Sequence, residues 1–287
     1  MKTNTSKSTL TNSYNFEKLC EAYSPLKEWV FVNKYGTETI DFAIPEAVKK
    51  LNRAILFSEY SIRFWDFPDA NLCPPIPSRR AYIDIVSELI KGISPNKKVK
   101  ILDIGTGASC IYPLIGSAVN SWQFVASDID KNSLKSAQKI VDENELTKQI
   151  ELRFQPNNEH IFKDVINEDD TFMVTMSNPP FYKSQEEANE ASLQKIKGIS
   201  NKDTLVRNFS GSQQELCYKG GEKAFLHNYL YESSLNKDKS EWFTILVSKF
   251  ALVKSMHTSL EKLGATKIKT IPLELGNKIS RVVAWKF

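Results

Sequence analysis

The sequence predicts an α/β protein built on a doubly wound, mostly parallel β-sheet. From residue 99 onward, short apolar segments alternate with amphipathic segments of helical period, which is the strand–helix order of a parallel sheet. The first two apolar segments each end in an acidic residue, Asp103 and Asp128, and glycines follow Asp103. Acidic and glycine-rich strand ends are typical of the carboxyl edge of such a sheet, where ligands bind.

The composition fits a folded chain and excludes several classes of protein. The 287 residues suit one large domain with at most a small extension, and a hydrophobic content of 41% excludes general disorder. The net charge of +4 permits an anionic partner without requiring one. The four cysteines show no CxxC spacing and the three histidines lie far apart, so we expect no disulfide framework and no metal site.

The amino-terminal residues are polar and lack the apolar core of a signal peptide. The longest uncharged stretch, residues 104–127, contains glycines, a proline and an asparagine, so it indicates loop, helix and strand instead of a membrane span. Together with the unpaired cysteines, these features predict a cytoplasmic protein that does not enter the membrane.

Residues 1–75 are expected to form an aromatic-rich, largely helical extension, of which residues 1–13 are disordered. This part holds 12 of the 31 aromatic residues, too many for a linker. A helix is expected to begin at Pro45, because proline is favoured in a first helical turn and apolar residues recur at helical spacing after it. Three prolines make residues 74–77 a stiff extended segment, and a helix is expected from Ser78 as N-cap to Lys91.

Residues 76–287 are expected to form the sheet domain. Its strands are predicted in VKILDIG, WQFVASDID, IELRFQ, TFMVTMSNPPF, EWFTILVSKF, TKIKTIPLEL and SRVVAWKF. Helices are predicted in SCIYPLIGSA, KNSLKSAQKIVDENEL and KSMHTSLEKLG. Only residues 276–279 separate the last two strands, which suits a hairpin, so one of them is expected to run antiparallel. The polar insertion 182–240 is too long for a plain loop and is expected to carry helices or a functional lid.

The segment from Asp103 to Cys110, DIGTGASC, predicts a ligand site at the end of the first strand. Cys110 stands where the dinucleotide fingerprint has its third glycine, and there is no GK[ST], so a phosphate cradle is disfavoured. Asp128 ends the next strand, where a carboxylate can accept both ribose hydroxyls of an adenosine. The simpler interpretation is an ordinary turn and a capping aspartate. Taken together, a ribose-binding acid and the absence of a phosphate-binding motif favour an adenosyl ligand such as S-adenosylmethionine.

A second motif, Asn178, Pro179, Pro180 and Phe181, follows the fourth strand and faces the same crevice. An exocyclic amine on a base is a poor nucleophile, because its lone pair is delocalised into the ring. The Asn178 side-chain oxygen and the Pro179 carbonyl can each accept one N–H bond from such an amine and aim it. Pro180 stiffens the turn and Phe181 offers a stacking face for a flipped base. No strong base is needed, because a sulfonium cofactor carries a good leaving group.

Four blocks flank these motifs and carry a family resemblance. The blocks are IDFAIPEAVKKLNRAIL (40–56), WDFPDANLCPPIPSRRAYI (65–83), ILDIGTGASCIYPLIG (101–116) and FSGSQQELCYKGGE (209–222). With NPPF, they resemble the 23S ribosomal RNA (adenine-1618-N6)-methyltransferase family, which is related to the METTL-sixteen RNA methyltransferases. The resemblance runs from about residue 14 to the carboxyl terminus. The chain departs from the family pattern at Cys217, where tryptophan is usual, and at Lys219, where an acid is usual.

The resemblance implies a Rossmann-like class I methyltransferase with a seven-stranded sheet, mostly parallel, and an antiparallel carboxyl-terminal strand. It implies S-adenosylmethionine as cofactor and RNA as partner, either 23S ribosomal RNA or a ribosomal assembly intermediate. The family implies cofactor contacts at Arg79, Gly105, Ser109 and Asp128. Asp103 and Gly107 lie in the same turn and are added to this set of candidate cofactor contacts. Residues 178–181 would hold the adenine.

Basic residues beside this crevice are candidate RNA contacts. They are Arg80 and a locally basic stretch containing Lys195, Lys197, Lys202 and Arg207. A run of charge is usually a solvated face, but next to an adenine pocket it can follow a phosphate backbone.

The sequence therefore predicts an S-adenosylmethionine-dependent RNA adenine-N6 methyltransferase. The alternative is a protein glutamine N5-methyltransferase, which also holds a planar amide nitrogen with an NPP turn, typically followed by tyrosine. Phe181 and the LCPPIP block disfavour that alternative. An inactive RNA-binding module is disfavoured because Asn178, Pro179 and the glycine turn are intact.

Overall fold

The molecule begins with a small group of helices and one short hairpin. The computed structural model describes residues 14–93, 98–184, 186–187, 216–275 and 278–287, so the disorder expected of residues 1–13 lies outside the described residues. The first elements are α1 (Phe16–Ala22), a 3₁₀ helix (Ser24–Trp29), β1 (Val30–Val32), β2 (Glu38–Ile40) and α2 (Pro45–Tyr60). Helix α2 starts at Pro45 as predicted, whereas the antiparallel β1–β2 pair is an addition to the expected helices.

Helix α3 (Ile76–Ile90) starts earlier than the sequence predicts. The N-cap is Pro75, so the expectation that Ser78 caps the helix and that residues 74–77 are all extended is wrong. The Ser78 hydroxyl donates back to the Pro75 carbonyl at 2.9 Å. Pro77 is compatible with the first turn, because the N–H groups there have no partner within the helix and proline removes nothing.

Seven strands form the central sheet. They are β3 (Lys100–Ile104), β4 (Gln123–Asp128), β5 (Ile150–Phe154), β6 (Phe172–Ser177), β7 (Ser240–Val247), β8 (Lys267–Leu275) and β9 (Lys278–Lys286). Their order across the sheet is β5-β4-β3-β6-β7-β9-β8. Strand β9 runs antiparallel to both β7 and β8, while β3 to β7 are mutually parallel. The predicted fold class, a mostly parallel seven-stranded sheet with an antiparallel carboxyl-terminal strand, is confirmed.

Among the residues that the structure describes, four more helices cover the sheet. They are α4 (Ile111–Asn120), α5 (Lys131–Glu143), α6 (Gly221–Leu235) and α7 (Phe250–Lys262). Helix α6 lies inside the interval 182–240, most of whose remaining residues lie outside the described ones. Among the helices that the structure describes, none is long and apolar enough to cross a membrane.

The central strands are buried on both faces, because alternate residues enter two separate hydrophobic clusters. Ile101 of β3 lies in the first cluster and its neighbour Leu102 in the second, and Trp242 and Phe243 of β7 divide in the same way. The first cluster also contains Leu56 and other residues of the amino-terminal part, and the second contains residues of α6 and α7. The amino-terminal part thus packs on the same core as the sheet, and the proposed boundary at residue 75 stays a prediction.

Gly116 allows α4 to pack against β4. A Cβ atom at this position would lie 2.4 Å from Cζ of the Phe124 ring.

In an exposed helix, substitution of glycine by alanine stabilises the protein by about 1 kcal/mol. Here we expect Gly116→Ala to lower the free energy of unfolding by about 1–3 kcal/mol, because the added methyl overpacks the core. Urea unfolding measures this difference, and a variant at least as stable as the wild type would contradict it.

Candidate active site

A cavity opens at the carboxyl ends of β3, β4 and β6. Its walls come from the glycine turn after β3, these strand ends, the loop after β5, the start of α3 and part of residues 217–225. It measures about 1010 Å³ including the space at its mouth. Parallel strands end at one edge of a sheet, and this brings distant residues together. The predicted site residues that line the cavity are Arg79, Gly105, Gly107, Ser109, Asp128, Asn178 and Pro180.

The glycine turn depends on backbone conformations that side chains rarely adopt. Gly105 and Gly107 have φ of 78° and 65°. The N–H groups of Gly105 and Thr106 both donate to the Ser127 carbonyl, at 2.9 and 3.0 Å. A Cβ atom on Gly105 would meet no protein atom within 4 Å, so it is the left-handed backbone that favours glycine here, and the space beside it is open for a ligand.

The Asp128 carboxylate is buried and oriented by two backbone donors. Gly107 donates to its Oδ2 at 2.8 Å and Asp130 donates to its Oδ1 at 2.9 Å. An ionised carboxylate offers about four acceptor sites, so a group held in this way can also receive hydroxyls. The arrangement joins the glycine turn of β3 to the end of β4 and presents an acid to the cavity.

Asp103 lies behind the cavity wall and does not line the cavity. Its side chain is fully buried, and neither carboxylate oxygen has a hydrogen-bond partner in the part of the chain that the structure describes. The pKa of this carboxyl is raised to about 7, mainly by burial and also by the charge of Asp128, while Arg79 opposes the shift. The Thr106 hydroxyl lies near enough to lower the pKa but makes no hydrogen bond to it. A direct contact between Asp103 and a cofactor stays a prediction.

The adjacent arginines of α3 have different surroundings. Arg79 lines the cavity, and its guanidinium carbon lies 5.5 Å from the centre of the Tyr112 ring. Arg80 is not part of the cavity wall, and its Nε donates to Asp84 at 2.7 Å. Consecutive helical residues point about 100° apart, which fits the different surroundings of these two side chains.

The acceptor turn places one buried polar atom at the cavity. Oδ1 of Asn178 is buried and has no hydrogen-bond partner among the described residues. Pro179 is buried behind it, Pro180 lines the cavity, and Phe181 is half-buried outside the lining. The amine-holding role of Asn178 and the stacking role of Phe181 both stay predictions.

A segment far along the chain supports this turn. The N–H groups of Phe181 and Tyr182 donate to the Leu216 carbonyl at 3.1 and 3.0 Å. In return, the Tyr218 N–H donates to the Tyr182 carbonyl at 3.0 Å. Cys217 and Tyr218 also line the cavity, so part of the block 209–222 reaches the site.

Sequence reasoning missed several contributors to the site. The indole N–H of Trp65, which is 3% exposed, donates to the Ser109 carbonyl at 2.8 Å and ties the amino-terminal part to the glycine turn. His160 and Ile161, in the loop after β5, line the cavity as well. Trp65 lies in one of the blocks that carried the resemblance, which was the only signal for it.

Some predicted positions cannot be described. Lys195, Lys197, Lys202 and Arg207 lie outside the described residues, so their contact with RNA stays a prediction, as does that of Arg80. Within the described ranges, no group of three or more His, Cys, Asp or Glu residues could hold a metal ion.

The fold, with its cavity at the carboxyl ends of β3, β4 and β6, is that of a methyltransferase. A family model described as RNA methyltransferase matches residues 4–287, and the chain belongs to this family.

Individual relatives with names of their own are also similar to this chain. The chain is 43% identical to ribosomal RNA large subunit methyltransferase F of Colwellia psychrerythraea, over 96% of this chain and 95% of that protein. It is 42% identical to the enzyme of the same name from Bacteroides thetaiotaomicron, over 96% and 94% of the two chains.

Solved structures agree with this relation. The human METTL16 catalytic domain in complex with MAT2A 3′UTR hairpin 1 superposes with a TM-score of 0.81 at 28% identity, covering 96% of this chain and 92% of that one. The amino-terminal domain of human METTL16 in complex with SAH gives a TM-score of 0.78 at 25% identity, covering 99% and 98%. The family resemblance and the enzyme class are confirmed, and the glutamine methyltransferase alternative is not favoured.

The pKa of Asp103 leads to a prediction about stability. A carboxyl whose pKa is raised from 3.8 to about 7 on folding binds more protons in the native state, so stability falls as pH rises through this window. We expect Asp103→Asn to abolish this fall, which amounts to about 3 kcal/mol between pH 5 and pH 8. Urea unfolding of both proteins at pH 5 and pH 8 measures it. The same pH dependence in both would show that Asp103 is ionised at little cost.

Proposed function

We propose that this chain transfers a methyl group from S-adenosylmethionine to the N6 amine of an adenine in large-subunit ribosomal RNA. The observation that carries the proposal is the buried Oδ1 atom of Asn178, an acceptor without a partner among the described residues at the edge of a cavity that suits an adenosyl ligand. The names of the bacterial relatives support ribosomal RNA as substrate. Cytoplasmic location is part of the same proposal, because bacterial ribosomal RNA is made there.

The residues of the cavity fit S-adenosylmethionine. Asp128 is held at the end of β4 with its carboxylate at the cavity, where ribose hydroxyls can donate to it. The open space beside Gly105 accepts a ligand close to the backbone. Ser109 and Arg79, which also line the cavity, are assigned to the same ligand. The solved METTL16 domain in complex with SAH supports an adenosyl ligand for this fold.

The chain holds and orients the acceptor amine. Oδ1 of Asn178 accepts one N–H of the amine, which draws electron density to the nitrogen and fixes its direction. The bound cofactor supplies an electrophilic methyl group and a good leaving group. Leu216 and Tyr218 keep the turn rigid through three backbone hydrogen bonds, so the acceptor atom is positioned before the substrate arrives.

An adenine can enter this turn only as an unstacked base, so the flanking RNA backbone must be gripped. We assign that grip to Lys195, Lys197, Lys202 and Arg207, with Arg80 as a weaker candidate. Arg80 already pairs with Asp84, so its charge is partly neutralised.

Asp128→Ala is expected to weaken cofactor binding while RNA binding persists. Each hydrogen bond to a charged group is worth about 1.5–3 kcal/mol, so the loss of two amounts to at least about a hundredfold in affinity. Titration calorimetry with S-adenosylhomocysteine measures the cofactor, and a filter-binding assay measures RNA. An unchanged cofactor dissociation constant would remove the ribose assignment.

Asn178→Ala is expected to reduce methyl transfer to RNA by about a hundredfold or more, because one preorganised polar contact to the reacting group is lost. Cofactor affinity stays near that of the wild type, since Asn178 holds the acceptor. The measurement is transfer of a labelled methyl group to total RNA and, in parallel, to a protein extract.

Asn167→Ala provides the matched control, because it is the same truncation at an exposed residue ahead of β6. It is expected to leave transfer unchanged. Full activity of Asn178→Ala would remove its assigned role, and labelling of protein in place of RNA would contradict the proposed substrate.

A further inference from the structure

Glu232 of α6 is a buried carboxylate that the reaction described above does not use. Its two oxygens accept three consecutive backbone N–H groups: Ile161 at 2.9 Å on Oε1, Phe162 at 2.7 Å on Oε2 and Lys163 at 3.2 Å on Oε2. The residue is 9% exposed. Among the described residues, no lysine, arginine or histidine forms an ion pair with Glu232, so its partners at the loop are the three backbone N–H groups.

The three donors belong to the loop that forms the cofactor end of the cavity. His160 and Ile161 of this loop line the cavity, as does Gln155 at its start. The Gln155 N–H donates to the backbone carbonyl of Asp128 at 2.9 Å, so the loop is joined directly to the predicted ribose acid. The Gln155 side chain then donates to the Lys163 carbonyl at 2.8 Å and closes the loop on itself.

Helix α6 is firmly mounted on the sheet, so it can fix this loop. The Tyr229 hydroxyl donates to the Thr244 carbonyl of β7 at 3.1 Å, and the Trp285 indole of β9 donates to Ser233 at 3.1 Å. Glu232 therefore extends the rigidity of the sheet to a loop that has no strand or helix of its own.

We infer that Glu232 is a positioning residue for cofactor binding, which acts by holding the backbone of residues 161–163 against the cavity. This inference rests on the proposed function, because it assigns the loop to S-adenosylmethionine. Without the carboxylate, three adjacent N–H groups lose their acceptors, and the loop relaxes away from the position that matches the cofactor.

The test is Glu232→Gln. The amide keeps the shape of the side chain but replaces one oxygen with NH₂, which faces an N–H donor and cannot accept from it. We expect the dissociation constant for S-adenosylhomocysteine to rise about tenfold, the order expected when one hydrogen bond to a charged group is lost. The KM for the cofactor rises similarly, while kcat at saturating cofactor stays within about twofold. Amide exchange at residues 161–163 accelerates, while exchange in β3 does not.

Glu222→Gln is the matched control. It makes the same change on the same helix, at a residue that is 3% exposed, but its partner is Ser248 instead of the cavity loop. It is expected to cost thermal stability to a similar degree and to bind S-adenosylhomocysteine within about twofold of the wild type. Equal weakening by both variants would overturn the inference, because the effect would then be a general loss of α6.

The inference would also be overturned if Glu232→Gln bound S-adenosylhomocysteine within about twofold of the wild type although its 161–163 amides exchanged faster.

If the Glu232→Gln variant does not fold, the test is made on the wild-type protein. Addition of S-adenosylhomocysteine is expected to slow amide exchange at residues 161–163. Slower exchange at Gly107 without slower exchange at 161–163 would refute the role of Glu232. Failure of the wild type to bind S-adenosylhomocysteine would instead contradict the proposed function itself.

Discussion

The hydrogen bonds between the glycine turn and the end of β4 set the geometry of the whole site. Two N–H groups of the turn share the Ser127 carbonyl, and Gly107 donates to the Asp128 carboxylate. These bonds depend on the pairing of β3 with β4, in which Ile104 lies opposite Ser127. A slip of one residue would turn Asp128 to the other face of the sheet, since side chains alternate along a strand. Correct pairing of β3 with β4 is therefore required at once for the turn, for the start of α4 and for the orientation of Asp128.

The two halves of the site are supported in different ways. The part proposed to bind the cofactor is built from neighbouring strands, and the Trp65 indole and the Glu232 carboxylate hold its loops. The part proposed to hold the acceptor follows β6 and depends on residues 216–218, which add a short parallel bridge at Tyr182 and Cys217. A site of this kind needs rigid elements behind each reactive group, because a small displacement of a reactive group lowers the rate of methyl transfer.

Much of the fold could be predicted because strand ends have a recognisable chemistry. Asp103, Asp128 and Asn178 each follow an apolar segment, and the structure brings these strand ends to one edge of the sheet. The start of α3 could not be predicted, since proline is compatible both with an extended segment and with a first helical turn. Strands β1 and β2 have three residues each, too few to show an alternating pattern.

The supporting contacts of the site were beyond sequence reasoning for a different reason. Trp65 and Glu232 bind backbone atoms 44 and about 70 positions away, and a backbone partner leaves no residue type to recognise. The different surroundings of Arg79 and Arg80 could be seen only in the structure, because in the sequence the two arginines look like one basic patch. In helix α3, Arg79 lies by Tyr112 and Arg80 pairs with Asp84.

The position of β9 between β7 and β8 has a consequence for synthesis. Within the described part of the chain, β8 pairs in the sheet with β9 alone, and β9 also covers one edge of β7. While the chain emerges from the ribosome, the outer edge of β7 stays unpaired until residues 278–286 have been made. Such an edge is a template for pairing with other chains, so nascent copies held close together on one messenger are exposed to aggregation until β9 has been made and has paired with β7.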